Sequence, residues 1–182
     1  MAPVTLRTPR LVLRPWTEAD RAPFAAMGAD PDVMRHFPGT LDRAESDAIA
    51  DRIAGAIEER GWGFWALAPS EEPDHFLGFT GLSIPGFEAP FTPCVEIGWR
   101  LARPAWGKGL ASEAARAALA YGFGTLGLDS IVAFTAVGNA PSRAVMVRIG
   151  MTHEPEGDFD HPVLPLDHPL CRHVLYRIRR TD

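Results

Sequence analysis

Residues 95–115 read VEIGWRLARPAWGKGLASEAA, and the chemistry they offer is the capture of an anion. An apolar strand runs into a turn holding Gly107, Lys108 and Gly109, and a helix opens behind it with Leu110, Ala111, Ser112 and Glu113. Two glycines let the backbone turn sharply and bring its N–H groups close to a ligand. The helix start adds unpaired donors and the positive end of the helix dipole. The stretch therefore predicts a phosphorylated ligand. Two common phosphate loops do not fit it. The P-loop needs a hydroxyl after its lysine, where Lys108 is followed by Gly109 and Leu110, and the dinucleotide fingerprint needs a third glycine where Ser112 stands.

The turn resembles the acetyl-CoA signature of the GCN5-related N-acetyltransferases (GNAT), Q/R-x-x-G-x-G/A, with Gly109 and Ala111 at its small positions and Trp106 in the Gln/Arg slot. That W-G-x-G form is similar to the branch acetylating ribosomal-protein N-termini, the RimJ/RimL type. Two further stretches resemble the same branch: Thr8-Pro9-Arg10-Leu11-Val12-Leu13-Arg14-Pro15-Trp16 with Asp20, and Asn139-Ala140-Pro141-Ser142 with Val145, Val147 and Ile149-Gly150-Met151. Together the three cover roughly residues 5–155 in the order the family has them.

The resemblance implies a mixed α/β fold, the GNAT fold, as a single domain over 1–182: a central, largely antiparallel sheet flanked by helices and splayed between its fourth and fifth strands. It implies acetyl transfer from acetyl-CoA to a primary amine, on a protein N-terminus or a small molecule, by direct attack on the thioester and with no metal. A rival from another class is a non-catalytic acyl-CoA-binding regulatory module on the same fold. The cofactor set it implies is Gly98, Trp99, Arg100 and Leu101 through their main chains along the pantetheine arm, Trp106, Gly107, Lys108, Gly109, Leu110 and Ala111 around the pyrophosphate, and Asn139 and Ser142 from the second motif. One strand N–H would face the thioester carbonyl, a donor worth ~3 kcal/mol at other acyl-transfer sites.

Acyl transfer to an amine also needs proton handling, because an ammonium is no nucleophile and a departing thiolate gains from an acid. Glu96, on the strand beside the implied thioester, is the candidate base, and an outward-facing or ion-paired carboxylate is its structural alternative. Ser142 is the candidate proton donor to the thiolate. Asn139 and Ser142 can equally cap the helix starting near Pro141. Asp160 and His161 are the runners-up to Glu96, in a tail from His153 to His173 that suits an acceptor loop. Its H-x(6)-H-x(4)-H spacing matches no compact zinc pattern. Lys108 offers a point charge to a phosphate if it turns inward. Trp62, Trp65, Trp99 and Phe64 read as core.

Positioning these residues requires a small set of elements. Leu11-Val12-Leu13 is a short strand, and Thr17-x-x-Asp20 opens a helix through about Met27. Residues 42–60 place Ile49, Ile53, Ala56 and Ile57 on one helix face, and this helix packs or borders the acceptor cleft. Phe64–Ala68 and Phe76–Leu82 form a hairpin, Val95–Leu101 is the fourth strand and Ser130–Ala136 the fifth. Ala111, Ala114, Ala115 and Ala118 give the signature helix a small face that can lie close to a sheet. Gly98 marks a bulge or a close backbone approach. His173–Arg179 alternates as a half-exposed strand.

Composition bounds the rest. The chain has 182 residues, 46% of them hydrophobic, enough for one substantial core. Cys94 and Cys171 make no disulfide framework, and the opening MAPVTLRTPRLVLRP has no apolar signal region. No apolar run approaches the ~18 residues of a membrane span. The expectation is a cytoplasmic monomer or homodimer without a membrane partner. The net charge of −5 argues against direct nucleic-acid binding and favours a cationic amine. Lys108 is the only lysine among 18 Lys and Arg residues, a bias toward arginine rather than a role for each.

Overall fold

The computed structural model describes residues 2–180. In chain order its elements are β1 (Leu6–Arg7), β2 (Leu11–Arg14), α1 (Arg21–Ala29), α2 (Arg43–Arg60), β3 (Phe64–Pro69), β4 (Gly78–Ser83), β5 (Glu96–Leu101), α3 (Leu110–Gly124), β6 (Ser130–Ala136), α4 (Ala140–Arg148), β7 (Thr152–His153), β8 (Phe159–Asp160) and β9 (Arg172–Arg179). The strands form one sheet in the order β1-β2-β3-β4-β5-β6-β9-β7, with β8 pairing β9. Every pairing is antiparallel except β5 with β6. This is the largely antiparallel α/β sheet the sequence predicts. The short β1 was not foreseen, so the predicted fourth and fifth strands are β5 and β6.

Local chemistry fixes the helix ends. Asp42 accepts the Glu45 N–H at 2.8 Å while the Glu45 carboxylate accepts the Asp42 N–H, and Gly61 stops α2 in the left-handed region at φ +83°. Thr17 and Asp20 form the expected capping box, but around a single 3₁₀ turn, with α1 following from Arg21. Buried Asp20 also holds Arg14 through both carboxylate oxygens, at 2.7 and 2.8 Å.

Two cores lie on the two faces of the sheet. On one, Ala114, Ala115 and Ala118 of α3 pack against Leu82, Ile97 and Leu101, together with Met146 of α4. Their lack of bulk lets α3 lie close to the strands. In the other core, Phe24, Met27, Met34 and Ala50 from α1, α2 and the loop between them pack with Phe76 and Phe79, which lie just before and within β4. Strand alternation then places Glu96, Gly98 and Arg100 on the α1 face of β5.

Two expectations are corrected. Gly98 is not a bulge: β4 and β5 stay in register through Gly81 and Gly98, and the close approach is that of the Phe64 ring, 3.0 Å from where a Cβ would stand. β9 is buried on both faces at Val174–Tyr176, because the turn at Gly157 covers Leu175. Among the described residues no helix is long and apolar enough to cross a membrane.

Candidate active site

β5 and β6 start together and part at once. Their one bridge joins Glu96 to Val132, with the Val132 N–H donating to the Val95 carbonyl at 3.0 Å. Beyond it the edges diverge, and a cleft of about 940 Å³ opens between them. Because backbone groups alternate between the two edges of a strand, the Val95 carbonyl fixes the parity: Trp99 and Leu101 turn their main-chain groups into the gap, and Gly98 and Arg100 turn theirs toward β4. The Leu101 carbonyl is already taken by Trp106 Nε1 at 2.7 Å. Of the four main chains expected along the pantetheine arm, only Trp99 therefore offers both groups to the gap. Gly98 and Arg100 are in the cleft by other means, Arg100 through its side chain.

One end of the cleft is built of backbone. Gly107 and Gly109 adopt φ +73° and +75°, which is why a side chain is excluded there, and Gly109 is the residue before α3. No side chain caps that helix, and Leu110, Ala111 and buried Ser112 line the cleft beside it. The turn is tied to the N-terminal segment: Arg10 donates to the Lys108 carbonyl at 3.0 Å and to Glu113 at 2.6 Å, and Thr8 Oγ1 donates to Glu113 at 2.7 Å. These bonds give the Thr8-Pro9-Arg10 motif its structural purpose. Trp106 lines the cleft, 46% exposed. Lys108 does not: it is exposed and contributes only its carbonyl to this latch.

From the β6 side come Asn139 and Ser142. The cap of α4 belongs to Asn139 alone, whose Oδ1 accepts the Ser142 N–H at 3.3 Å while its amide donates to Thr135 Oγ1 at 2.9 Å. Ser142 is inside the first turn and only its N–H takes part in the cap; its side chain is left to line the cleft. The two residues, read alike from sequence, do different things.

The other end is built of side chains. Glu96 is half-buried where the strands part, and burial pushes its carboxyl up to about 7. Arg100 lies over the Phe37 ring at 3.9 Å and the Phe79 ring at 5.4 Å, and burial pulls it down to about 10. Phe64 completes this wall. Opposite stand Phe134, His161 and His173, the two imidazoles 4.9 Å apart. Burial lowers both, and His173 lowers His161 further. Of the two runners-up to Glu96, His161 reaches the cleft. Asp160 does not: it is exposed and pairs with Arg172 at 3.4 Å. Residues 42–60 stay out of the cleft, and the loop Asp32–Pro38 borders it instead. Phe64 and Trp99 line the cleft rather than serving the core alone, while Trp65 is fully buried. Among the described residues no three His, Cys, Asp or Glu side chains are grouped to hold a metal.

A sheet split at this point, with a glycine turn feeding a bare helix N-terminus, is the arrangement of an acyl-CoA enzyme, and comparison with known proteins agrees. The chain belongs to the GNAT acetyltransferase family, residues 10–152 matching its Acetyltransferase (GNAT) domain. It is 34% identical over 153 residues to the Bacillus subtilis protein YkkB, covering 82% of this chain and 86% of that one. It is 33% identical over 156 residues to the Aspergillus fumigatus FsC-acetyl coenzyme A-N(2)-transacetylase, covering 82% of this chain and 65% of that one. Among solved structures it superposes on an acetyltransferase from Agrobacterium tumefaciens with a TM-score of 0.78 at 28% identity, over 99% of this chain and 96% of that one. The fold is shared with RimL, a ribosomal L7/L12 alpha-N-protein acetyltransferase solved with coenzyme A, at a TM-score of 0.74 and 17% identity over 97% and 98% of the two chains. The protein is an acyltransferase of a family that uses acetyl-CoA.

Proposed function

We propose that this protein transfers the acetyl group of acetyl-CoA to a primary amine by direct attack, with Glu96 as the base. The observation that carries the proposal is the Glu96 carboxyl, set at the crotch of the split sheet and raised by burial to about 7. A base with that affinity is half-ionised at neutral pH and still strong enough to accept a proton from an amine.

On this reading the remaining groups take the following parts. The pyrophosphate is placed against Gly107, Gly109 and the open N-terminus of α3, where a Cβ on Gly109 would have only the Arg10 guanidinium within 4 Å and the space is otherwise free for a ligand. The pantetheine arm lies between β5 and β6, and the Trp99 N–H faces the gap as donor to the thioester oxygen, a contribution of ~3 kcal/mol to the barrier. The amine enters from the Arg100, His161 and His173 end. Its lone pair forms the C–N bond, the C–S bond breaks, the amine proton passes to Glu96, and Ser142 Oγ gives its proton to the thiolate and regains one from solvent. Asn139 sets the first turn of α4 and with it the position of Ser142.

The test is release of free CoA thiol from acetyl-CoA against peptide N-termini, polyamines and aminoglycosides, with the acetylated product identified by mass. Amine-dependent release that falls with Glu96→Gln is expected. Acetyl-CoA binding with no release for any amine would leave the non-catalytic reading in its place.

A further inference from the structure

Among the described residues Arg100 is a charged side chain without a counter-ion. Among the described residues its Nε and Nη1 are buried and find no hydrogen-bond partner, although the side chain lines the cleft. Leaving such donors unpaired is costly, and a buried guanidinium ordinarily has a carboxylate. The acid at this end of the cleft is engaged elsewhere: Asp32 is held by Arg35 at 2.7 Å and by Arg103. His36, lining the same end, is an imidazole and offers no negative charge. Nor is Glu96 the partner. Among the described residues no hydrogen bond or ion pair joins Glu96 to Arg100, which stand four residues apart on β5.

Phe37 and Phe79 lie against the guanidinium, its carbon 3.9 and 5.4 Å from their ring centres, and leave its N–H edge as the part that can bind. That planar fork matches a carboxylate better than a point charge would. Glu96 and Arg100 share one face of β5, four residues apart, which sets their Cα atoms ~13 Å from each other along one wall. The wall thus carries a carboxyl at the reacting end and a guanidinium farther along, with Gly98 and the Phe64 ring between them.

We infer that the acceptor is an amine that also bears a carboxylate, its nitrogen received by Glu96 and its carboxylate by the Arg100 guanidinium. The inference rests on the proposed acetyl transfer and narrows its acceptor to amino acids, acidic peptides or their derivatives, against polyamines and aminoglycosides.

The experiment compares amino acids from β-alanine to ε-aminocaproate, and dipeptides with a free C-terminus, each against its own carboxamide. The acids are expected to exceed the amides in kcat/KM by about 10- to 100-fold, mainly through KM. The preference should vanish in Arg100→Gln and survive in part in Arg100→Lys. Equal use of acid and amide by the native protein, or a preference that persists in Arg100→Gln, overturns the inference while leaving acetyl transfer intact. Binding separates the two claims if no amine reacts. Butyrate, which has no amine, is titrated into the CoA-loaded protein and should shift the Arg100 Nε–H NMR signal, assigned by its loss in Arg100→Lys, where butyramide does not. No shift with butyrate also overturns it.

Discussion

The two ends of the cleft are made of different material. At the CoA end the working groups are backbone: two left-handed glycines, an uncapped helix start and a strand edge, held by the Thr8–Arg10–Glu113 latch and the Asn139 cap. At the acceptor end they are side chains, a carboxyl and a guanidinium that burial has shifted in opposite directions, walled by Phe37, Phe64, Phe79 and Phe134. Backbone donors cannot be substituted away, so the CoA end suits a ligand common to a whole family. Side chains can change one at a time, so the acceptor end is where members of a family diverge. Desolvated charge also costs stability: Asp20, buried outside the cleft, is compensated by Arg14, whereas Glu96 and Arg100 are desolvated where the chemistry is proposed to occur.

The comparison is broken most sharply by removing one group from each end. Glu96→Gln is expected to lower kcat by ~10²–10⁴-fold with acetyl-CoA affinity unchanged, measured by steady-state kinetics beside calorimetry. Gly109→Val should do the reverse, weakening acetyl-CoA by ~10²-fold or more in calorimetry. It puts a β-branched residue at φ +75° and a side chain in the path of the pyrophosphate, at a folding cost of ~1–3 kcal/mol. A Gly109→Val protein that is folded and binds acetyl-CoA normally would remove the CoA end from the account.

Stability sharpens the contrast. Burial pushes the folded Glu96 carboxyl up to about 7, above its ordinary value of 4.5, so between those values the native state holds a proton that the unfolded chain has lost. Stability from this group is complete below the unfolded value and falls as pH rises through the folded one. The loss is roughly 3 kcal/mol at most. Glu96→Gln should therefore melt higher than the native protein at pH 8 and nearly with it at pH 4.5, a difference that thermal denaturation at the two pH values reads. A melting difference independent of pH would mean that Glu96 is not a desolvated acid.

The smallest expected effects separate the two residues of α4. Asn139→Ala should cost ~1 kcal/mol of stability through loss of the cap, whereas Ser142→Ala should leave the melting temperature unchanged and lower kcat. A fall in stability for Ser142→Ala with native kinetics would return that serine to a structural role.

What could be read from the sequence follows the same division. Gly107, Gly109 and Ala111 were legible because left-handed turns and close helix packing restrict residue type at fixed spacing. Strand alternation could have placed the Arg100 side chain on the Glu96 face. Its aromatic cover could not be seen, because Phe37 and Phe79 come from a loop and a strand far apart in the chain. Lys108 illustrates the limit: the turn geometry was readable, but the direction of a flexible side chain within it was not. Asp160 and His161, adjacent in sequence, part company because β8 pairs with β9 and sends one outward to Arg172 and the other to the cleft.

The most direct measurement is the pH dependence of kcat/KM for acceptor amines of different pKa, in the native protein and in Glu96→Gln. The native profile should carry an inflection at about 7 that stays fixed as the amine changes, and the variant should lose it and follow the amine's own ionisation. An inflection that moves with the amine in the native protein, or that persists at 7 in Glu96→Gln, would contradict the assignment of Glu96 as the base.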